Sequence, residues 1–150
     1  MTTLLYLEDF PLGATWELGA YQVTETAIVE FGTQFDPQPF HTDVEAARGS
    51  SFGGLVASGW HTSAITTRIL VDELYSRAAS LGSPGVEEIR WTRPVRPGDS
   101  LSVRFTVTES RPSASKPDRG VVHCLVETLN QDGDVVMTLR GAMFFARRDR

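Results

Sequence analysis

A carboxylate and an imidazole lie five residues apart in the segment FDPQPFH, residues 35–41. Pro37 and Pro39 each fix their own φ and disfavour a helical residue before them, so any preceding helix must end here. A compact turn of this length could bring Asp36 and His41 onto one water molecule, as general acid–base catalysis requires. The same spacing also fits an alternative in which Asp36 ends one helix and His41 begins the next turn.

An uncharged stretch, residues 49–67, follows this segment. Its Gly, Ser and Thr content makes it too polar for a membrane span, so we predict a buried helix, apolar on every side and wrapped by a sheet. We place the helix start within ASGWHT, residues 57–62, where Ser58 would cap the first turn. The first backbone N–H groups of a helix have no partner within it, so they could bind a developing oxyanion.

Strand patterns surround this helix in the sequence. We expect a first strand over residues 14–23, and then a short helix that Thr24 caps before the proline segment. Asp132-Gly133 is typical of a hairpin turn, and residues 111–119 lack periodicity, which predicts a mobile loop. The predicted fold class is α+β, with an antiparallel sheet around one long helix. The four strands expected after the helix cover residues 86–93, 101–108, 121–129 and 135–145.

Composition limits the remaining classes of function. A chain of 150 residues fits one domain, and its net charge of −5 and pI near 5.1 argue against a nucleic-acid surface. The single cysteine, Cys124, excludes an internal disulfide, and the N-terminus has no basic segment that leads into an apolar one. We therefore expect a cytoplasmic protein without a membrane anchor. Three scattered histidines and one cysteine do not predict a metal site.

These motifs resemble those of the MaoC-like dehydratases, also called R-specific enoyl-CoA hydratases, which have the hot-dog fold. The family signature is Asp, any residue, Asn, Pro, an aliphatic residue and His, with a glycine about eighteen residues later at the head of the central helix. The resemblance extends over residues 6–145 and includes the strand and turn at residues 91–99, WTRPVRPGD. The matching positions are Asp36, Pro39, His41 and Gly59, with Gln38 in place of Asn and Phe40 in place of the aliphatic residue.

The resemblance implies reversible addition of water across the α,β double bond of an acyl thioester. Asp36 and His41 would hold the water between them at a pocket mouth, outside the core, and the Gly59 N–H would bind the thioester oxygen. Thr67 would orient the carboxylate, although a bond to its own helix carbonyl is the alternative. Coenzyme A or an acyl carrier protein would be part of the substrate, with no other cofactor. The family resemblance and the exposed sheet edge also predict a homodimer.

Substrate-binding residues and competing functions follow from the same resemblance. We expect Phe40, Leu55 and Trp60 to contact the acyl group, and His61 to have a packing or subunit-contact role. Supporting roles fall to Gln38, Pro39 and Ser58. A hot-dog thioesterase and a non-catalytic acyl-binding subunit remain alternatives, because the fold alone does not distinguish them. Further residues that could line an acyl tunnel, or equally form core, are Val56, Ile65, Trp91, Phe144 and Phe145.

Overall fold

Five antiparallel strands form one sheet in the computed structural model, which describes residues 3–148. Their order in the sheet is first, third, fourth, fifth and second, so the last three strands form a consecutive meander with one strand added at each side. The strands are β1 (Thr15–Gln22), β2 (Gly85–Trp91), β3 (Ser100–Pro112), β4 (Arg119–Leu129) and β5 (Val135–Ala146).

Four α-helices lie between β1 and β2 in the chain. Local sequence determines where they begin: Thr24 accepts a hydrogen bond from the Ala27 N–H at 3.1 Å and caps the first helix. Pro39 occupies the first turn of the second helix, where its missing N–H has no cost, and Asp43 caps the third. The helices are α1 (Glu25–Phe35), α2 (Pro39–Thr42), α3 (Val44–Arg48) and α4 (Gly59–Glu73).

The long helix α4 packs against the sheet, with contacts to β1 and β3. Only one of its faces is buried, so the prediction of a helix enclosed on every side is wrong. Residues 49–58 of the uncharged stretch form turns and an extended segment before the helix begins. The buried positions are His61, Thr62, Ile65, Thr66, Ile69 and Leu70. The exposed positions are Trp60, Ala64, Thr67, Arg68, Val71, Asp72 and Glu73.

Aromatic rings fill the core on the helix side of the sheet. Phe10 stacks on Phe145 with ring centroids 4.2 Å apart and meets the edge of Phe105 at 6.3 Å. All three rings are fully buried, as is Ile28 of α1. Such packing holds helices and sheet together through the hydrophobic effect and aromatic contacts. Phe145 therefore belongs to the core and does not line a substrate tunnel.

The predicted antiparallel sheet with a long helix is confirmed, with small shifts in strand boundaries. The loop predicted over residues 111–119 is shorter, because β3 continues to Pro112 and β4 begins at Arg119. Residues near the end of β3 are exposed on both faces, so the alternation that marks the rest of the strand disappears there. Within residues 3–148, no helix is long and apolar enough to span a bilayer.

Candidate active site

Asp36 and His41 face each other across the turn between α1 and α2. The Oδ2 atom of Asp36 lies 3.4 Å from Nε2 of His41. The backbone N–H of Asp36 donates to the Gly32 carbonyl at 2.8 Å, so Asp36 is also the residue that ends α1. Asp36 therefore has both roles that the sequence suggested. Its backbone ends α1, and its carboxylate faces the imidazole of His41.

The tautomer of His41 follows from its second nitrogen. Nδ1 lies 2.6 Å from the backbone carbonyl oxygen of Val56, and a carbonyl can only accept, so Nδ1 carries a proton. In the neutral imidazole, Nε2 is then an acceptor that faces Asp36. His41 is only 6% exposed, so it packs into the interior and does not stand free at a pocket mouth.

Two side chains donate hydrogen bonds to the Asp36 carboxylate. Gln38 Nε2 donates to Oδ1 at 2.7 Å, and Ser58 Oγ donates to Oδ2 at 2.8 Å. The bond from Gln38, and after it the bond from Ser58, lowers the pKa of Asp36 below its ordinary value. Partial burial of the carboxylate opposes this shift, and the interaction with His41 makes a smaller contribution that lowers the pKa further. Gln38, which stands where the family pattern has Asn, thus reaches the carboxylate directly.

Ser58 connects this carboxylate to the start of α4. Its hydroxyl oxygen accepts a hydrogen bond from the Trp60 N–H at 3.2 Å while its proton goes to Asp36. The expected capping role is therefore present, and the contact with Asp36 is an addition that the sequence did not reveal. Gly59 is the first residue of α4, where a backbone N–H has no acceptor within the helix.

The indole of Trp91 covers the Cα of Gly59. A methyl group at Gly59 would overlap the indole atoms Cδ2 and Cε2 and would lie 2.9 Å from Cε3. We expected a glycine here because a thioester must approach the backbone closely, but the structure gives a second reason, which is the packing of Trp91. The indole Nε1 donates to Ser63 Oγ at 3.3 Å, and the ring meets Trp60 in a T-shaped contact.

A cavity of about 290 Å³ opens beside these residues. His41 and Gly59 both line it, whereas Asp36 is not among the lining residues. The walls are largely apolar and aromatic, which suits an acyl group more than a polar metabolite. The lining residues are Phe40, His41, Phe52, Val56, Ala57, Gly59, Thr62, Trp91, Thr92, Arg93, Pro94 and Val95.

The three predicted substrate-binding residues have different locations. Phe40 lines the cavity as expected, but Leu55 is buried in the core and Trp60 is 58% exposed on the outer side of α4. Neighbouring residues of an extended segment point to opposite sides, so Val56 faces the cavity where Leu55 cannot. Trp60 follows Gly59 by about 100° of helix rotation, so its side chain points away from the cavity that Gly59 lines. Three of the further candidates, Ile65, Phe144 and Phe145, do not line the cavity either.

Thr67 does not orient the carboxylate, and this expectation is corrected. Its hydroxyl donates to the Ser63 carbonyl of the same helix at 3.0 Å, and the side chain is exposed. Eight residues along a helix amount to about 12 Å, which places Thr67 too far from the helix start to reach Asp36. Ser58 makes the contact instead, from a position before the helix.

His61 lies in the interior beside the pair. Its ring stacks on Phe31 of α1 with centroids 4.8 Å apart, and its Nδ1 has no hydrogen-bond partner among residues 3–148. Burial lowers the pKa of His61, and the electrostatic interaction with His41 adds to the shift. These contacts agree with a packing role. Across the described ranges, no group of His, Cys, Asp and Glu side chains is arranged to hold a metal ion.

Comparisons with known proteins agree with this architecture. A model of the MaoC-like domain matches residues 11–128. The crystal structure of a MaoC-like dehydratase from Rhodospirillum rubrum is 46% identical, covers 97% of this chain and 99% of that chain, and has a TM-score of 0.88. The predicted hot-dog fold is thereby confirmed.

Two more distant relatives extend the comparison. The uncharacterized protein YdeM of Bacillus subtilis is 28% identical over 125 residues, which are 83% of this chain and 87% of that protein. An R-hydratase from Pseudomonas aeruginosa, at 24% identity and a TM-score of 0.74, covers 97% of this chain and 88% of its own. At that identity, the likeness concerns the fold alone.

Proposed function

Because this chain belongs to the MaoC-like domain family, we propose that it catalyses the reversible hydration of an α,β-unsaturated acyl thioester. One observation carries the proposal: Asp36 Oδ2 and His41 Nε2, which are both hydrogen-bond acceptors when the imidazole is neutral, lie 3.4 Å apart. One water molecule has two hydrogens to donate to such a pair, and its oxygen lone pair is then free to attack.

The reaction adds both parts of water to one face of the double bond. The water oxygen forms a bond to the β-carbon while one water proton moves to Nε2 of His41. The electron pair of the double bond moves towards the thioester carbonyl and gives an enolate-like oxygen. The same Nε2–H then donates its proton to the α-carbon, which restores the neutral imidazole and completes the hydroxyacyl thioester.

His41 carries the proton in this scheme, and Asp36 remains a carboxylate. Hydrogen bonds from Gln38 and Ser58 lower the pKa of Asp36, which makes it a poor proton acceptor at neutral pH. An imidazole accepts a proton more readily than a carboxylate does. Once His41 is protonated, the negative charge of Asp36 Oδ2, 3.4 Å from Nε2, stabilises the imidazolium, and the Nε2–H is directed at the α-carbon.

Gly59 supplies the group that stabilises the enolate-like oxygen. Its N–H lies at the positive end of α4 and beside His41 on the cavity wall. A preorganised donor of this kind typically contributes about 3 to 4 kcal/mol to the transition state. Coenzyme A or an acyl carrier protein would carry the acyl group, and the proposal needs no other cofactor.

The test follows the loss of enoyl-thioester absorbance and the release of free thiol in parallel, on crotonyl and longer coenzyme A thioesters. We expect hydration by the wild type and a loss of at least about a hundredfold in Asp36→Asn and in His41→Gln. His123→Gln is the matched control, because His123 lies on β4 between Glu87 and Glu109, apart from the cavity. Thiol release without hydration would identify a thioesterase, and neither signal with intact binding would identify an acyl-binding subunit.

A further inference from the structure

Trp91 stands where the start of α4 meets the cavity. Its indole packs on the Cα of Gly59 so closely that no side chain fits between them, and the same ring forms part of the cavity wall. The hydrogen bond to Ser63 and the T-shaped contact with Trp60, at a centroid distance of 5.0 Å, hold the ring from two further sides. The indole is therefore a fixed wall next to Gly59.

A thioester that accepts a hydrogen bond from Gly59 must place its carbonyl carbon within about 4 Å of that nitrogen. The α-carbon comes next in the acyl chain, so any substituent on it lies in the space beside the Trp91 indole. Phe40 and Phe52, whose ring centroids are 5.2 Å apart, add two further aromatic rings to the lining of this cavity.

We infer that Trp91 is a specificity-determining residue that admits thioesters with an unbranched α-carbon and rejects those with an α-methyl group. The inference rests on the proposed function, since it places the thioester oxygen at Gly59. One methyl group too many against a fixed apolar wall typically changes kcat/KM by about tenfold to two-hundredfold.

The experiment compares kcat/KM for crotonyl-CoA and for its α-methyl analogue, 2-methylcrotonyl-CoA, in four proteins. In the wild type we expect crotonyl-CoA to be preferred by at least about tenfold. Trp91→Ala should reduce this preference about tenfold or more, and Trp91→Phe should give an intermediate ratio. Val71→Ala is the matched control, because it truncates an exposed apolar side chain of α4 that does not line the cavity, and should leave the ratio unchanged.

A purely structural role for Trp91 would lower the rates for both substrates together, so an unchanged ratio in Trp91→Ala overturns the inference. Trp91 is 44% exposed at the end of an edge strand, and the Phe variant keeps an aromatic ring should the Ala variant fail to fold. Calorimetric binding of butyryl-CoA and 2-methylbutyryl-CoA separates the two proposals. If Trp91 controls the binding ratio but no variant hydrates a thioester, only the proposed function fails; if the wild type binds neither, both fail.

Discussion

The hydrogen bond between His41 Nδ1 and the Val56 carbonyl determines which imidazole nitrogen is available for chemistry. Because Nδ1 already donates to this carbonyl, the nitrogen left to accept a proton is Nε2, on the side of Asp36. Truncation of His41 to Ala would leave that buried carbonyl without a donor, at a cost of about 1–3 kcal/mol. His41→Gln is therefore the better variant, since it keeps a polar side chain of similar reach.

Ser58 has two hydrogen bonds, and their effects can be separated. Ser58→Ala should lower the stability by about 1 kcal/mol through loss of the helix cap, and should also raise the pKa of Asp36. Thr24→Ala is the matched control, because it removes the corresponding cap of α1 without contact to Asp36. Denaturant unfolding should show similar losses, whereas only Ser58→Ala should move the acid limb of the pH–rate profile upward. Identical profiles would contradict the role of Ser58 at the carboxylate.

The lowered pKa of Asp36 also predicts how stability depends on pH. An unfolded Asp has a pKa of about 3.9, so between that value and the lower folded pKa the unfolded state binds more protons. The contribution of Asp36 is thus fully present above about pH 5 and disappears as pH falls through the folded pKa. The difference in melting temperature between the wild type and Asp36→Asn should be constant above about pH 5 and shrink in acid. A melting-temperature difference that does not change with pH would contradict the lowered pKa of Asp36.

Sequence spacing was sufficient to make Asp36 and His41 candidates for one acid–base pair, because two prolines stiffen the segment that joins them, and the family resemblance added Gly59. It could not reveal contacts that join distant segments. Ser58 contacts the carboxylate of Asp36, 22 positions earlier in the chain. Trp91 of β2 packs on Gly59 at the start of α4. Such contacts depend on how elements pack, which residue types alone do not encode.

At the scale of elements, the pair depends on how closely α1 approaches α2. Gly32 of α1 is buried, and a methyl group there would lie 2.8 Å from the carbonyl oxygen and 2.9 Å from Cβ of His41. Both distances are shorter than normal contacts, so α2 can occupy its position only because residue 32 has no side chain.

Gly32→Ala should therefore displace α2 and the imidazole. We expect a loss of about 1–3 kcal/mol in stability and a fall in hydration rate. Gly49→Ala is the matched control, because its added methyl would lie 3.7 Å from the nearest atom, at an ordinary helical backbone conformation. Thermal unfolding and the enoyl absorbance assay would measure both variants. Wild-type rates in Gly32→Ala would show that α2 tolerates the shift.

The alternation of apolar and polar residues predicted the strands well where one face of the strand is buried. It failed where both faces are exposed. In β3 the alternation of buried and exposed residues ends near Glu109, although the strand continues to Pro112. The absence of charge over residues 49–67 misled, since Trp60, Ala64 and Thr67 of this stretch lie on the exposed face of α4. An uncharged stretch is therefore not evidence of a helix enclosed on every side.

At the scale of the whole molecule, three of the exposed apolar side chains lie near one sheet edge. Val86 and Trp91 lie on β2, which among residues 3–148 pairs with β5 alone and so has a free edge. Trp60 of α4 contacts Trp91. Edges with apolar side chains tend to pair with another chain. This location favours β2 over β1 as the edge through which the proposed homodimer forms.

We expect light scattering at low micromolar concentration to give twice the chain mass of 16.5 kDa. Val86→Lys should shift the equilibrium towards the monomer, because a charge on an edge strand opposes pairing. Glu17→Lys on β1 is the control at the opposite edge, where the side chain is exposed. A mass of one chain for the wild type would contradict the dimer.

The order of strands in the sheet also affects when the site can form during synthesis. β2 carries Trp91, but in the part of the chain that the structure describes it pairs with β5 alone, and β5 leaves the ribosome after β3 and β4. Until β5 has emerged, β2 has no strand to pair with, and the wall of the cavity is not in place. The residues of the pair are made early, yet a nascent chain that lacks β5 cannot complete the cavity around them. The chemistry of the site is thus delayed until the sheet is finished.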